Sequence, residues 1–417
     1  MSDRISTNQI FGNGINQMMS LTQQVNDTQL QISSGKRIMT PSDDPIATTR
    51  VLQLDQEIAL NAQYENNTIY VDSRLKQEEG LLSGIEDIIS RIRELTISAG
   101  NAAYSQDDRQ AIAIEVNQRV DELFTNMNNK DANGEYFFSG FNGQSQPFVE
   151  NPGGGYTYQG DEGQRYLQIA TTTTVATSDS GKSLFLDIPA VKNTFNSYGF
   201  ESNTGKPTPV ISSGLTVDQE KLDELFPDDA IIEFNHDFDV TPPSTNYTVR
   251  RLSDNHVIDG LKNVPFVNDG SISFSGMQVS ITGQPAPGDT FVVQTTQKQG
   301  ILETFEKFMY GLDTLGDSSE DQDTLNNLLE DTLNNLDNAT TNISGVRTQI
   351  GARLNTTEST VNLLQEMTLV AQEVRSELED IDFAEAVSRL QMQSFVLEAS
   401  QQSYTKLKAL RVFYYIR

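Results

Sequence analysis

Residues 176–183, Ala-Thr-Ser-Asp-Ser-Gly-Lys-Ser, come nearest to a chemical motif. They fit the relaxed phosphate-loop pattern, in which a glycine-rich turn and a helix N-terminus aim backbone N–H groups at phosphate. That chemistry needs a strand before the loop and a long helix after it. A strand is expected at 171–175, but 184–188 followed by Pro189 reads as another strand, so the segment is expected to be a hairpin turn. His236 and His256 are the two histidines of the chain. Neither sits in a His-Glu-x-x-His motif and no spacing nominates a third ligand, so a metal is not expected there. The acidic run 317–323 has no glycine inside it, whereas a calcium loop alternates its ligands around one. It is expected to be a solvated helix start, favoured by the helix dipole. The Asn-x-Thr triplets at Asn246 and Asn338 are expected by chance in an Asn/Thr-rich chain. Cysteine is absent, which excludes disulfides, thiolate metal sites and cysteine nucleophiles. No catalytic, cofactor-binding or metal-binding residue is assigned, and no cofactor.

With 417 residues, the chain has room for two to four domains at ~100–200 residues each. Its 29 Lys and Arg against 58 Asp and Glu leave a net charge of −29. That argues against a nucleic-acid partner, which would demand a concentrated cationic face, and against adsorption to anionic membrane. The N-terminus has no basic start followed by an apolar run of about 7–15 residues, so no cleaved leader is expected. No stretch approaches ~18 apolar residues, so no bilayer span is expected.

Periodicity divides the chain into three zones. In the first, Ile15, Met18, Val25 and Ile32 fall on a heptad stripe, with Thr22 and Gln29 in its polar slots. Gly35 is expected to end that helix, and Asp44 and Pro45 to start the next. Val71, Leu75, Leu82, Ile85, Ile89 and Ile92 form a second stripe, interrupted by Glu78. Another helix is expected to start at Ser105 and Asp108. The middle zone is rich in Gly, Pro, Thr and Asn and loses the helical period. Strands are expected at 247–252, 272–274, 277–281 and 291–295, and one short helix at 216–226. Heptads return after residue 300 and run through Leu325, Leu329, Leu336, Ala339, Ile343, Val346 and Ile350. Asp382 and Glu385 form a capping-box pattern that opens a last helix through Phe383, Val387, Leu390, Leu397 and Tyr404.

The fold expected is mainly α with a β-rich insertion: a rod of long antiparallel coiled-coil helices from both chain ends, with the β domain at the far end. The domains are expected at 1–44 with 381–417 (terminal helices), 45–140 with 300–380 (helical rod) and 141–299 (outer β domain). The last helix carries more apolar surface than one facing partner could cover, Phe395 included. The expected assembly interface is therefore Ile15, Met18, Val25, Ile32, Phe383, Val387, Leu390, Leu397, Tyr404, Leu407 and Phe413.

Five segments then point to a family. The opening MSDRISTNQIF, QISSGKRIMTPSDDPIATTR (31–50), EYFFSGFNGQSQPF (135–148), VRTQIGARLN (346–355) and LEDIDFAEAVSRLQMQSFVLEASQQSYTKL (378–407) resemble the flagellin-like axial proteins of the bacterial flagellum. TPSDDP and EYFFSG are similar to the hook-associated protein 3 family in particular, and GQPAPGDTFVV (283–293) resembles a phrase common among hook-associated proteins. The resemblance implies a non-enzymatic junction protein, exported unfolded through the flagellar type III apparatus without a cleaved signal and residing outside the cell on the flagellum. It implies as partners hook-associated protein 1, flagellin, copies of itself in a ring and a cytoplasmic flagellar export chaperone. Flagellin or a flagellin-like filament subunit is the alternative. A Lys-Asp-Asp-Ala segment would then be expected where residues 41–45 stand.

Overall fold

Gly35, with φ of +73°, stops the first helix by taking the left-handed conformation that a side chain disfavours. The computed structural model describes residues 7–101 and 104–414. Within the first and last helices, side chains are described for Gln9 and for 12–406. The chain forms two compact units, residues 1–66 with 359–417, and residues 67–358.

The first helix is α1 (Thr7–Ser34). Asp44 Oδ1 then accepts from the Ala47 N–H at 3.0 Å, and Pro45 opens α2 (Pro45–Ala99). Ser105 and Asp108 form a reciprocal capping box at the start of α3 (Gln106–Met127), as the sequence predicts.

Strands follow in order: β1 (Phe148–Glu150), β2 (Tyr156–Tyr158), β3 (Tyr166–Ala170) and β4 (Thr173–Ala176). Thr171 therefore lies in a turn, outside the strand expected to begin there. Residues 184–188 are not a strand either. Lys182–Leu186 form one π-helical turn, which points consecutive Leu184 and Phe185 into the same core; a strand would send them to opposite faces. Pro189 begins β5 (Pro189–Gly199), followed by β6 (Val210–Ile211), β7 (Leu215–Thr216), α4 (Gln219–Leu225) and β8 (Ala230–Asn235). Then come β9 (Asn246–Arg251), β10 (Val264–Pro265), β11 (Ser271–Phe274), β12 (Met277–Thr282) and β13 (Thr290–Lys298).

An antiparallel sheet of order β10-β9-β8-β13-β5 and a smaller one built on β11-β12-β6 share a core of Phe195, Ile232, Phe234, Val249, Val279 and Phe291. Ser275 and Gly276, both at positive φ, make the turn between β11 and β12. A Cβ on Gly276 would collide with the Asp218 carbonyl.

Helices α5 (Ile301–Thr314), α6 (Ser319–Glu379) and α7 (Phe383–Tyr414) complete the chain. The acidic run at the start of α6 is structural. Asp317 pairs with the buried Arg109 guanidinium at 2.8 Å, and Ser318 Oγ accepts from the Asp321 N–H. No described group of His, Asp or Glu is set to hold a metal, and both histidines are exposed. Asn246 is buried, its amide spent on the His236 and Ser244 carbonyls.

Residues 176–181 form a buried strap, from which Lys182 and the exposed Ser183 lead out. Arg353 of α6 holds Asp179 through two bonds of 2.7 and 3.0 Å, Arg74 of α2 donates to the Thr177 carbonyl, and Glu78 accepts from the Asp179 N–H. The Gly181 N–H donates to the carbonyl of Phe138, whose ring meets Phe185 edge-on at 5.2 Å. The strap and the EYFFSG segment thus lock each other. Gly181 and the buried Phe137 and Phe138 serve packing, with no cradle left for phosphate.

Candidate assembly interface

The first and last helices run antiparallel. Their register is pinned at one end by a β-bridge between Lys36 and Asp380, by Arg37 N–H to the Glu379 carbonyl at 2.7 Å and by Ile381 N–H to the Gly35 carbonyl at 3.0 Å. Lys36 and Glu379 add an ion pair. The TPSDDP segment follows as a tight bend: Asp43 Oδ2 accepts from the N–H groups of Met39 and Thr40, which hold its carboxyl below the usual carboxylate range.

Burial along the pair follows a 4-3 spacing. On α1 the less exposed positions on this spacing are Gly14, Met18, Leu21, Val25, Thr28 and Ile32, with Gly12 and Gln31 partly covered off it; on α7 they are Ala386, Leu390, Gln393, Leu397, Ser400 and Tyr404. Thr28 Oγ1 donates to Gln393 Oε1 at 2.8 Å, and the Tyr404 ring lies over Gly14. Only Thr28 and Ala386 of these twelve are fully buried; two helices cannot close the seam by themselves.

Outside the seam stand two uncovered stripes. Ile15, Met19 and Leu30 are exposed on α1. On α7, Met392, Phe395, Val396 and Ala399 follow the i, i+3, i+4, i+7 rule of one helix face, and Phe395 is 68% exposed.

Of the residues predicted from sequence, Met18, Val25, Ile32, Leu390, Leu397 and Tyr404 come together in the seam. Ile15, Phe383 and Val387 lie off it, exposed. The side chains of Leu407 and Phe413 lie outside the described residues. The seam positions expected for Thr22 and Gln29 belong instead to Leu21 and Thr28, one residue earlier in each case. Both frames share Met18, Val25 and Ile32, and the cross-helix bond from Thr28 favours the earlier one. Ala386, Gln393 and Ser400 were not expected, because small and polar residues hide a heptad. Counting back from Tyr404 in steps of 4 and 3 recovers them.

Family models match both ends of the chain: the bacterial flagellin N-terminal helical region over residues 5–143 and the C-terminal helical region over 333–416. A third, the D2-like domain of flagellar hook-associated protein 1, matches 219–295 within the β-rich part. Flagellar hook-associated protein 3 of Escherichia coli is 24% identical over 92% of this chain and 90% of its own length. The Salmonella typhimurium protein of the same name is 34% identical over 38% of this chain, spanning about half (49%) of that relative. A crystal structure of flagellar hook-associated protein 3 from Legionella pneumophila superposes with a TM-score of 0.53 at 28% identity, covering 79% of this chain and 98% of that one. The chain belongs to the hook-associated protein 3 family, within the flagellin-like superfamily. A filament core protein of Borreliella burgdorferi, 33% identical, matches over 27% of this chain and 32% of its own length, as terminal helices shared across the superfamily would.

Proposed function

We propose that this chain is the junction subunit of the bacterial flagellum, a structural protein that joins the hook to the flagellin filament. A ring of its copies would sit between hook-associated protein 1 and flagellin. The observation that carries this reading is the α1–α7 hairpin, which in a chain of this family leaves its seam half open and its outer stripes uncovered. Such a surface marks a place where a further helix packs. In this reading, 1–44 with 381–417 is the assembly domain, 45–140 with 300–380 the supporting rod and 141–299 the outer domain. The chain leaves the cell unfolded through the flagellar export apparatus, with an export chaperone shielding the last helix beforehand. A cysteine-free sequence suits that route, since no disulfide can lock the threading chain.

The test is complementation of a strain lacking the gene. The deletion should leave hooks without filaments and shed flagellin into the medium. Phe395→Asp should fail to restore swimming while the purified chain keeps the parent's circular dichroism and Tm, because Phe395 is exposed until a partner covers it. Normal swimming by Phe395→Asp would remove the stripe from the interface. Filaments on the deletion strain would overturn the junction reading itself.

A further inference from the structure

An open cavity of about 450 Å³ lies in the second unit between the β1–β2 hairpin, β5 and α5. Its walls combine two features that the junction reading does not use. One is aromatic: Tyr156 and Tyr158 on one side, Tyr198 and the exposed Phe200 on the other, the last two meeting edge-on at 6.0 Å. The other is a set of hydrogen-bond acceptors without donors. Asn196 Oδ1 and Glu303 Oε2 are sealed from water and accept no hydrogen bond, and Glu303 leans into the space that Gly300 leaves by lacking a side chain. Glu306 also lines the cavity.

The nearest cation is already engaged. Lys307 is buried, donates to Thr194 Oγ1 at 2.7 Å and to the Phe195 carbonyl, and sits 4.5 Å from the Phe195 ring centre. The surrounding charge is otherwise acidic. Burial, together with the carboxylates of Glu303 and Glu150, pushes the Glu306 carboxyl up to about 8, and burial with Glu306, Glu150, Asp121 and Glu303 raises the Tyr156 hydroxyl.

We propose that this cavity binds a protonated guanidinium or amine, which stacks between the aromatic walls and donates to Glu306 and the acceptors behind it. A guanidinium has five N–H donors and no acceptor, matching a wall of unmet acceptors, and its charge is attracted to aromatic faces. A neutral sugar would stack as well but would leave the acidic excess uncompensated. The cation comes either from a basic side chain of a neighbouring protein or from a small free polyamine, and the chemistry is the same.

Calorimetric titration of the full chain tests this with four probes: N-acetyl-arginine amide, agmatine, N-acetyl-citrulline amide as neutral isostere, and methyl glucoside. Saturable binding of the arginine derivative, agmatine or both is expected, with the neutral probes at least roughly tenfold weaker. Equal binding of arginine amide and agmatine would assign the site to a partner's side chain; agmatine alone, to a free cation. Glu306→Gln should weaken binding roughly tenfold, because a bound cation draws the proton off Glu306 and pairs with its carboxylate, whereas Gln stays neutral. Its Tm at neutral pH should be no lower than the parent's, because it replaces a buried carboxyl that must keep its proton in the fold. Phe200→Ala, at the exposed rim, should weaken binding several-fold without altering charge. The proposal is overturned if no cation binds, if citrulline or glucoside binds as well as arginine, or if a folded Glu306→Gln binds like the parent.

Discussion

Glu78 occupies a seam position of α2, between Leu75 and Leu82, where the heptad asks for an apolar side chain. It is fully buried, and one of its oxygens has no hydrogen-bond partner. Burial and the adjacent Asp179 push its carboxyl up to about 8, against weaker opposing pulls from Arg353 and Arg74. The folded chain therefore holds a proton that the unfolded chain releases above its ordinary value near 4.5. Stability through this group falls as pH rises from about 4.5 to about 8, and Glu306 acts in the same direction. Lys307, lowered to about 7 chiefly by burial, works oppositely above neutrality, where the unfolded chain keeps the proton the folded one has lost. Glu78→Gln keeps the acceptor for the Asp179 N–H and replaces the orphan oxygen with a donor facing a carboxylate. It should raise Tm by roughly 2–4 °C at pH 7.5, change it little at pH 4.5, and flatten the slope between. Calorimetry across that range checks it, and an equal shift at both pH values would reject the cause. In sequence, Glu78 is legible only as an interruption. Its partners Arg353 and Asp179 lie 275 and 101 positions away, and no local pattern joins them.

At the scale of elements, the long helices were legible and the strands partly so. Heptads repeat locally, and every apolar residue of the stripe from Val71 to Ile92 is buried as its spacing requires. The β-rich part depends on distant pairing. β5, the longest strand, pairs with β13 a hundred residues on, and its alternation is blurred by Lys192, Asn193 and Asn196. The terminal hairpin lies between these cases: its period was visible, but its frame was set by one cross-helix bond, from Thr28 to Gln393. Leu397 sits half-buried in that seam. Leu397→Asp should put a carboxylate against α1 and loosen the hairpin by several kcal/mol if the site stays dry. Hydrogen exchange should then accelerate across residues 12–34 and 383–406 and stay unchanged across 67–358. Leu397→Met, nearly equal in volume, should match the parent. Loss of protection within 67–358 would mean that the terminal helices are not a separate unit of stability.

For the whole molecule, charge and apolar surface are divided between the two units. Residues 1–66 with 359–417 hold 15 acidic and 10 basic side chains, a net of −5, so −24 of the total falls on residues 67–358. Sixteen of the 28 large apolar side chains exposed among the described residues belong to that first, nearly neutral unit, although it is the smaller. Assembly through the terminal helices thus brings weakly charged apolar faces together, while every added copy also brings the −24 charge of its residues 67–358. The attraction is short-ranged and insensitive to moderate salt; the repulsion is long-ranged and screened within ~10 Å at 0.1 M ionic strength. Self-association of the purified chain should therefore strengthen as NaCl rises from about 0.02 to 0.3 M, read by sedimentation velocity. Removing 67–358 from the comparison sharpens the point: a peptide pair covering 1–44 and 381–417 should associate with far weaker salt dependence. If association of the full chain instead weakens with salt, specific ion pairs between subunits hold the assembly, and the uncovered stripes of α1 and α7 are not its main surface.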